Sequence, residues 1–314
     1  MEKIILHRNY GSPYCQKIIA MLGYCKLDWF SELTSKGMPR PTQEILAGNY
    51  SRRVPILQIG SDIYCDTKEI CHQIAEISGN KVLSYYHLTE EQQVFSDQLE
   101  FEFGKAVMGL LNPIEIITSY FKHIPIKDAY EFIVDRLQVK KRTKGKNPLE
   151  EKSKDEWKSI LIYYLKMIDG ILENHQFLSE NSVPSYVDLT AYTHVWYSYR
   201  LNHLKYAKGL PNIKKWLKRM DSFDIGNYKE LAKNEVINIA LASEPKLIDS
   251  SFLNATKLNE ETSVVVNDEL AFIMNPVNGV LVGKDSKKTI LERRHSKIGK
   301  VHIHVPLNCH GACG

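Results

Sequence analysis

Residues 7–18, HRNYGSPYCQKI, contain the strongest structural signal in this sequence. The apolar run Lys3–Leu6 precedes them and predicts a short β-strand. Ser12-Pro13 then predicts the start of a helix, with serine as the N-cap and proline at the first helical position. The helix has an apolar face and ends at Gly23; the residues of that face are Ile18, Ile19, Met21 and Leu22. The stretch therefore predicts a strand, a short loop and a helix, with the letters SPYC at the turn.

The pattern continues over about 80 residues in the order β-α-β-α-β-β-α. Leu27–Phe30 predicts a second strand, and a proline-containing loop then leads to a short helix ending near Gly48. Gly60-Ser61 separates two further predicted strands, Val54–Ile59 and Asp62–Cys65, and is typical of a hairpin. The apolar stripe of the last helix recurs at helical spacing before Gly79; its residues are Ile70, Ile74 and Ile77. This order predicts an α/β domain over residues 1–82.

Two further regions differ from the first in their pattern of apolar residues. Residues 89–243 carry apolar side chains at helical spacing and predict an all-helical domain. Ser185 predicts a helix N-cap with Asp188 three residues later, and we interpret this pair as structural rather than catalytic. Residues 245–314 contain short β-type runs, including SVVVN, ELAFI and KVHIHV, and predict a small antiparallel β-rich appendage. In its last run His302 and His304 alternate with apolar residues, which predicts a half-buried strand with a polar face.

Composition excludes several classes of function. The chain has 314 residues, 43% of them hydrophobic, and a formal net charge of +4, which is too small to indicate a nucleic-acid or membrane partner. The basic run at residues 136–146 lacks interleaved aromatic residues, so we interpret it as a solvated loop. The start MEKIILHR has no apolar h-region, and we expect no signal peptide. The six scattered cysteines do not resemble a disulfide framework, and we expect a cytoplasmic protein.

Four local signals together resemble the cytosolic glutathione transferase superfamily over residues 1 to about 240. They are SPYC at the first helix, Arg53-Val54-Pro55, Asp66-Thr67 before the third helix, and Ser185-Tyr-Val-Asp188. The resemblance implies a thioredoxin-like α/β domain followed by an all-α glutathione transferase C-terminal domain, here with the β-rich appendage. It also implies a cytoplasmic, homodimeric detoxification enzyme with glutathione as co-substrate.

The resemblance implies particular roles for the residues that match it. Val54-Pro55 is expected to be a cis peptide whose Val54 backbone pairs with the cysteinyl part of glutathione. Asp66 and Thr67 are expected to bind the γ-glutamyl end, because a helix N-terminus suits a carboxylate and an aspartate can pair with an ammonium group. Arg53 or Arg52 is expected to pair with the glycine carboxylate. The structural alternatives are an ordinary strand start, a helix N-cap and a solvated basic pair.

Ser12 is the expected catalytic residue, although two neighbours remain open alternatives. Related redox enzymes carry a cysteine at this position, whereas theta- and zeta-like transferases use a serine near it to donate a hydrogen bond to the glutathione sulfur. Tyr10 and Tyr14 could replace Ser12 as donor or form a wall of the acceptor pocket. Cys15 could support a thiol-disulfide oxidoreductase, since it is the one thiol in SPYC.

The sequence therefore predicts a protein that activates glutathione for conjugation or peroxide reduction. A small hydrophobic electrophile or peroxide would lie near Phe101 to Met108. The alternatives are an oxidoreductase that uses Cys15 and a non-catalytic member that binds ligands or a partner protein. The C-terminal residues His302, His304, Cys309, His310 and Cys313 match no common zinc spacing, and we expect no bound metal.

Overall fold

The computed structural model describes residues 2–111, 126–142, 149, 151–179, 182–253, 257–266 and 276–307. The strands are β1 Ile4–Arg8, β2 Trp29–Leu33, β3 Ile56–Ile59, β4 Asp62–Cys65, β5 Tyr228–Glu230, β6 Glu261–Val264, β7 Val277–Lys284, β8 Lys288–His295 and β9 Gly299–Pro306. The α-helices are α1 Pro13–Tyr24, α2 Pro41–Ala47, α3 Thr67–Ser78, α4 Glu90–Gln98, α5 Gly104–Gly109, α6 Ile126–Arg142, α7 Lys154–Asn174, α8 Tyr186–Arg200, α9 Pro211–Asp221 and α10 Lys233–Leu241. A π-helical turn, Leu99–Phe103, joins α4 to α5.

The predicted first unit is confirmed, except for the end of its helix. β1 is buried along its whole length, and α1 begins at Pro13 with Ser12 as N-cap. The helix continues through Gly23 to Tyr24, so the prediction that Gly23 ends it was wrong. A Cβ at Gly23 would collide with the backbone of Phe223 and Asp224. Glycine is therefore needed here for close packing of two chain segments and does not terminate the helix.

One mixed sheet of nine strands runs through the described part of the chain in the order β5-β2-β1-β3-β4-β9-β8-β7-β6. β1 pairs parallel with β2 and antiparallel with β3, and β3 and β4 form the predicted hairpin. The C-terminal strands β6–β9 are antiparallel to one another, as predicted. However, β9 also pairs parallel with β4, so the appendage extends the N-terminal sheet.

The all-helical prediction for residues 89–243 was wrong at Tyr228–Glu230, which form β5. These residues pair parallel with Trp29–Ser31 at the edge of the sheet. The indole of Trp29 stacks on the Tyr228 ring at 4.8 Å between centroids and donates a hydrogen bond to the carbonyl of Ile225 at 2.8 Å. A three-residue strand has no periodicity of its own, and the free edge of β2 stabilises it.

The prediction of a half-buried β9 with a polar histidine face was also wrong. β9 lies between β4 and β8, and both His302 and His304 are buried. His304 contacts Asp62 of β4, with 2.7 Å between Nε2 and Oδ1, and its ring stacks on Tyr64 at 4.4 Å. The His304 imidazole is therefore buried with a partner on β4, in keeping with the rule that buried polar groups are paired.

Two hydrophobic cores cover the two sides of the sheet. The larger core joins α1 and α3 to the helical region. The second joins α2, β3, β4 and α10 to the apolar residues of the appendage, among them Leu281, Leu291 and Ile303. The appendage thus shares both a sheet and a core with the N-terminal region, and the sequence-based boundary at residue 245 stays a prediction.

The structural interpretation of Ser185 and Asp188 is confirmed. The Asp188 carboxylate accepts hydrogen bonds from the backbone N–H of Ser185 at 3.0 Å and of Leu178 at 2.9 Å. It also accepts from the indole of Trp216 at 3.1 Å. These bonds close a capping box at the start of α8 and hold α9 beside it.

The basic run was wrongly interpreted as a loop in its first part, because α6 extends to Arg142. Residues 143–148, the predicted strand ELAFI at 269–273, and the C-terminal Cys309, His310 and Cys313 lie outside the described residues. Within the described part of the chain, no helix has both the length and the apolar composition that crossing a membrane requires.

Candidate functional site

Three of the sequence motifs lie together at one edge of the sheet, the edge formed by the strand ends. The strand directions are the reason. β1 and β4 both run antiparallel to β3, so their carboxyl ends lie at the same edge as the amino end of β3. Ser12 follows β1, Asp66 follows β4, and Val54-Pro55 precede β3. The topology therefore brings together the residues that the sequence analysis expected to bind one ligand.

Ser12 caps the helix that starts at this edge. Its Oγ accepts a hydrogen bond from the backbone N–H of Cys15 at 3.3 Å. Gly11, just before it, has a φ of 78°, a conformation that side-chain-bearing residues rarely adopt. The side chain of Ser12 remains partly exposed in front of the positive end of the α1 dipole.

Asp66 has an unusual backbone conformation at the start of α3. Its φ of 74° with a ψ of 141° belongs to a region that is almost restricted to glycine. The carboxylate accepts a hydrogen bond from the backbone N–H of Lys68 at 2.8 Å, and the residue is only partly buried. Such strain costs about 1–3 kcal/mol and is concentrated at functional sites. Thr67, the first residue of the helix, is buried beside it.

The peptide bond between Val54 and Pro55 is cis, as the resemblance implied. Val54 lies before the first paired residue of β3, Ile56, and is partly exposed. The two arginines before it have different surroundings. Arg52 pairs with Asp135 of α6 at 2.8 Å, whereas the Arg53 guanidinium lies over the Tyr50 ring at 5.9 Å. The charge of Arg53 also acts on Tyr14, which lies two residues after Ser12.

A buried arginine fixes the loop that leads to this cis peptide. Arg40 donates hydrogen bonds to four backbone carbonyls at 2.7–3.2 Å, those of Ser35, Lys36, Ser51 and Arg52. The start of α2 is also tied to the sheet, because Gln43 donates to the Glu32 carboxylate at 2.7 Å. His7 of β1 lies 3.1 Å from the same carboxylate. These contacts hold the segment before Val54 in one arrangement.

The two tyrosines near SPYC differ in their environment. Tyr10 is exposed, and the Arg8 guanidinium lies 5.1 Å from its ring centroid. Burial, followed by the neighbouring Glu100 carboxylate, raises the pKa of Tyr14 well above its ordinary value. The Tyr14 ring also contacts His194 of α8 edge-on at 6.1 Å. Tyr14 therefore faces the helical region, and its hydroxyl stays protonated.

Cys15 is buried within α1, with 1% of its surface exposed. Burial raises the pKa of its thiol and outweighs the opposing effects of the Ser12 hydrogen bond and of the charges on Arg8 and Arg40. A nucleophilic cysteine needs an exposed and readily ionised thiol. Cys15 has neither property in this structure.

The sequence analysis missed a buried polar cluster that we call the interdomain cluster, made of Lys17, Glu100 and His194. The Lys17 ammonium is fully buried and lies 3.6 Å from Glu100, while the His194 imidazole lies 4.0 Å from that carboxylate. Lys17 also donates hydrogen bonds to Tyr186 at 3.2 Å and to Thr190 at 3.1 Å. A lysine within an apolar helix stripe is a signal that could have indicated such a partner.

Lys17 stabilises the charged form of Glu100 and opposes protonation of His194. Burial alone would raise the pKa of Glu100, but Lys17, His194 and the Tyr14 hydrogen bond lower it below its ordinary value. Burial lowers the pKa of His194 to about 4, so this imidazole is neutral at pH 7. Glu100 is therefore an anion facing Tyr14, and it lies on the π-helical turn, a feature that is frequent at functional sites.

The segment from Phe101 to Met108, which was expected to line an acceptor pocket, contains both buried and partly exposed residues. Phe103, Ala106 and Val107 are fully buried in the larger core, whereas Phe101 and Met108 are partly exposed. Gly104 allows the His194 ring to approach, because a Cβ there would lie 2.8 Å from that ring. Phe101 and Met108 are thus the apolar residues of this segment that could contact a ligand, next to Glu100.

Comparisons with known proteins identify the family to which the described domains are similar. Residues 6–81 match the sequence model described as "Glutathione S-transferase, N-terminal domain". Residues 128–222 match the one described as "Glutathione S-transferase, C-terminal domain". Together the two matches span more than half of the chain. The comparison with curated protein sequences gave no significant match.

Solved structures also resemble this chain. A GST-like protein from Pseudomonas syringae is 21% identical, with a TM-score of 0.68, over 97% of this chain and 96% of that one. A glutathione S-transferase from Xylella fastidiosa is 16% identical, with a TM-score of 0.46, over 70% of this chain and 93% of that one. A glutathione S-transferase from Rhodospirillum rubrum is 16% identical, with a TM-score of 0.47, over 70% of this chain and 88% of that one. The first likeness shows that the fold, including its C-terminal strands, occurs in another protein.

Proposed function

The chain belongs to the cytosolic glutathione transferase superfamily, and on that premise we propose that it binds glutathione and activates the thiol for transfer to an electrophile or a peroxide. In this proposal Val54, Asp66 and Thr67 hold the peptide at the edge of the sheet. Arg53 pairs with the glycine carboxylate, and Ser12 faces the sulfur. The acceptor substrate lies between this edge and the π-helical turn.

The strained conformation of Asp66 is the observation that carries the proposal. A non-glycine residue with a φ of 74° persists only where the surrounding structure enforces it. This conformation coincides with the residue expected to bind the γ-glutamyl ammonium. The N–H groups at the start of α3 would bind the γ-glutamyl carboxylate, since a helix N-terminus favours anions.

Ser12 would stabilise the thiolate form of glutathione. Accepting a hydrogen bond from Cys15 does not use the serine hydroxyl hydrogen, so Ser12 can donate that hydrogen to sulfur. The positive end of the α1 dipole acts in the same direction. A free thiol of pKa about 8.5 is about 3% ionised at pH 7, and lowering that pKa by two units would ionise roughly three quarters. Nucleophilicity falls as the pKa falls, so the net gain is smaller than the gain in ionisation.

Tyr14 is a weaker candidate than Ser12 for this role. Its hydroxyl interacts with the Glu100 carboxylate, and its raised pKa makes it a poor partner for a thiolate. We propose instead that Tyr14 and Glu100 form a polar wall of the acceptor site, beside the apolar surfaces of Phe101 and Met108. This combination suits a small acceptor with one apolar part and one hydrogen-bonding group.

Two measurements test the proposed function. Isothermal titration calorimetry with reduced glutathione should give a saturable heat with an affinity between micromolar and millimolar. Turnover should then be measured with a chloronitrobenzene electrophile and with an organic hydroperoxide. Glutathione binding without either activity would favour a non-catalytic binding protein, and an absence of binding would contradict the whole proposal.

The oxidoreductase alternative predicts a strong dependence on Cys15, and we expect none. Because the thiol is buried and its pKa is raised, Cys15→Ala should change turnover by less than about tenfold, well below the roughly 100- to 1,000-fold loss that follows removal of a preorganised donor. Mass spectrometry of the native protein after iodoacetamide treatment should find Cys15 unmodified. Complete loss of activity in Cys15→Ala would support the oxidoreductase instead.

We also propose a homodimer, as is usual in this superfamily, although the appendage alters the available surface. β9 occupies the edge of β4, and Lys288 of β8 pairs with Glu69 of α3 at 2.7 Å. A dimer would therefore use the faces that the appendage leaves open. Light scattering at micromolar concentration should give twice the chain mass of 36.2 kDa, and a value equal to one chain would contradict this. A cytoplasmic location likewise stays a prediction.

A further inference from the structure

We propose that His72, Glu76 and His87 form a binding site for a divalent transition-metal ion such as Zn²⁺, outside the glutathione site. One ligand atom from each of these residues lies within 4.8 Å of the other two. The Glu76 carboxylate is 3.5 Å from Nε2 of His87. The rings of His72 and His87 are 6.1 Å apart between centroids. Small rotations of two exposed side chains would bring all three onto one ion.

The backbone brings these residues together in two steps. His72 and Glu76 are four residues apart on α3, so their side chains are neighbours on one face of the helix. His87 ends a short 3₁₀ turn, Tyr85–His87, in the segment that leads from α3 to α4. The backbone N–H of His87 donates to the carbonyl of Ser84 at 3.1 Å, and this bond closes the turn.

A hydrogen bond and a ring contact orient the most buried of the three ligands. Nδ1 of His72 lies 3.0 Å from Oγ of Ser84, and Ser84 is fully buried. Nε2 is therefore the ring nitrogen left for a metal. Metal-binding histidines almost always have such a partner on the other nitrogen, which fixes the tautomer and the ring plane. The ring of Tyr86 packs edge-on against His72 at 5.0 Å and limits its rotation further.

The charges around the three residues are compatible with a cation. Besides Glu76 and His87, the charges that act on His72 are those of Glu69 and Lys288, which form an ion pair of 2.7 Å with each other. Two imidazoles and one carboxylate favour Zn²⁺, Co²⁺, Ni²⁺ or Cu²⁺ over Mg²⁺ or Ca²⁺, which prefer oxygen ligands. Three protein ligands leave at least one coordination position to water or to a small ligand.

A bound ion would connect α3 to the segment that joins the two halves of the chain. The sequence analysis expected no metal and considered only the C-terminal histidines and cysteines. His87 is distant in sequence from the pair on α3, so the spacing gave no signal. Since the ion would bind the folded protein better than the unfolded chain, it should also raise the thermal unfolding midpoint.

The test uses untagged, metal-free, full-length protein titrated with Co²⁺ and, separately, with Zn²⁺. One equivalent of Co²⁺ should produce visible d–d absorption. Added Zn²⁺ should abolish this absorption by displacing Co²⁺. Glu76→Gln and His87→Gln, both at exposed positions, should lose this signal. Ser84→Ala keeps all three ligands and should weaken binding by about 10- to 100-fold, the range found for removing the partner of a metal-binding histidine.

Matched controls separate this site from other metal-binding groups. Glu91→Gln on α4 and His175→Gln after α7 make the same chemical changes elsewhere and should bind normally. The full-length variant C309S/H310N/C313S should also bind normally. Equal binding by wild type, Glu76→Gln and His87→Gln would overturn the proposal. So would loss of binding in the C-terminal variant alone, or no binding of either ion at millimolar concentration.

Discussion

Ser12→Ala should reduce conjugation or peroxidase turnover by about 10- to 1,000-fold, the scale of removing one preorganised hydrogen-bond donor from a catalytic site. Glutathione affinity should change little, because the proposed anchor for the γ-glutamyl end is at Asp66. The effect should therefore appear in kcat, with a nearly constant dissociation constant by calorimetry. It should be largest at a pH below the pKa of free glutathione, where thiolate stabilisation matters most.

The control for this variant separates catalysis from helix capping. Ser12 also caps α1, and losing an N-cap costs about 0.5–2 kcal/mol of folding free energy. Ser153→Ala removes the N-cap of α7, which is not among the proposed site residues, and should cost similar stability without affecting turnover. Ser12→Cys should lower transferase activity and add thiol-disulfide exchange. If Ser12→Ala is as active as Ser153→Ala while a tyrosine variant is inactive, Tyr10 or Tyr14 is the donor.

Asp66→Ala should weaken glutathione binding by roughly 1.5–3 kcal/mol, or about 10- to 150-fold, because a charge-assisted hydrogen bond to the ammonium group is lost. Asp66→Asn is the more selective variant. Asparagine has nearly the same shape as aspartate and caps helices well, so the N-cap should be retained. Weaker binding by both variants in calorimetry would assign the loss to the carboxylate charge.

The control for Asp66 is Thr89→Ala, which removes the N-cap of α4. It should lower stability without changing glutathione affinity. A second test changes the ligand instead of the protein. A glutathione analogue without the γ-glutamyl amino group should bind wild type and Asp66→Asn with equal affinity. If wild type binds this analogue as tightly as glutathione, the proposed ion pair does not exist.

Local patterns in the sequence predicted the elements that depend on local interactions. The N-cap at Ser12, the capping box at Ser185 and the hairpin at Gly60 each involve residues within a few positions of one another. The cis Val54-Pro55 peptide, by contrast, was expected only through the family resemblance. The shared location of Ser12, Val54 and Asp66 at one edge follows from the strand directions in the structure.

The sequence by itself determined the fold class, because fold class depends on periodicity and on short motifs, whereas the composition of the proposed glutathione site was expected through the family resemblance that those motifs carry. Only the tertiary structure decided which of these residues have partners. Cys15 and Tyr14 are adjacent in sequence, yet their environments differ. Burial makes Cys15 a poor nucleophile, and the Tyr14 hydroxyl is hydrogen-bonded to Glu100. The partnership of Asp62 with His304 spans 242 positions, and that of Lys17 with Glu100 crosses from the first helix to the helical region. A buried charge or imidazole needs a partner, but its own sequence neighbourhood does not say where in the chain that partner lies.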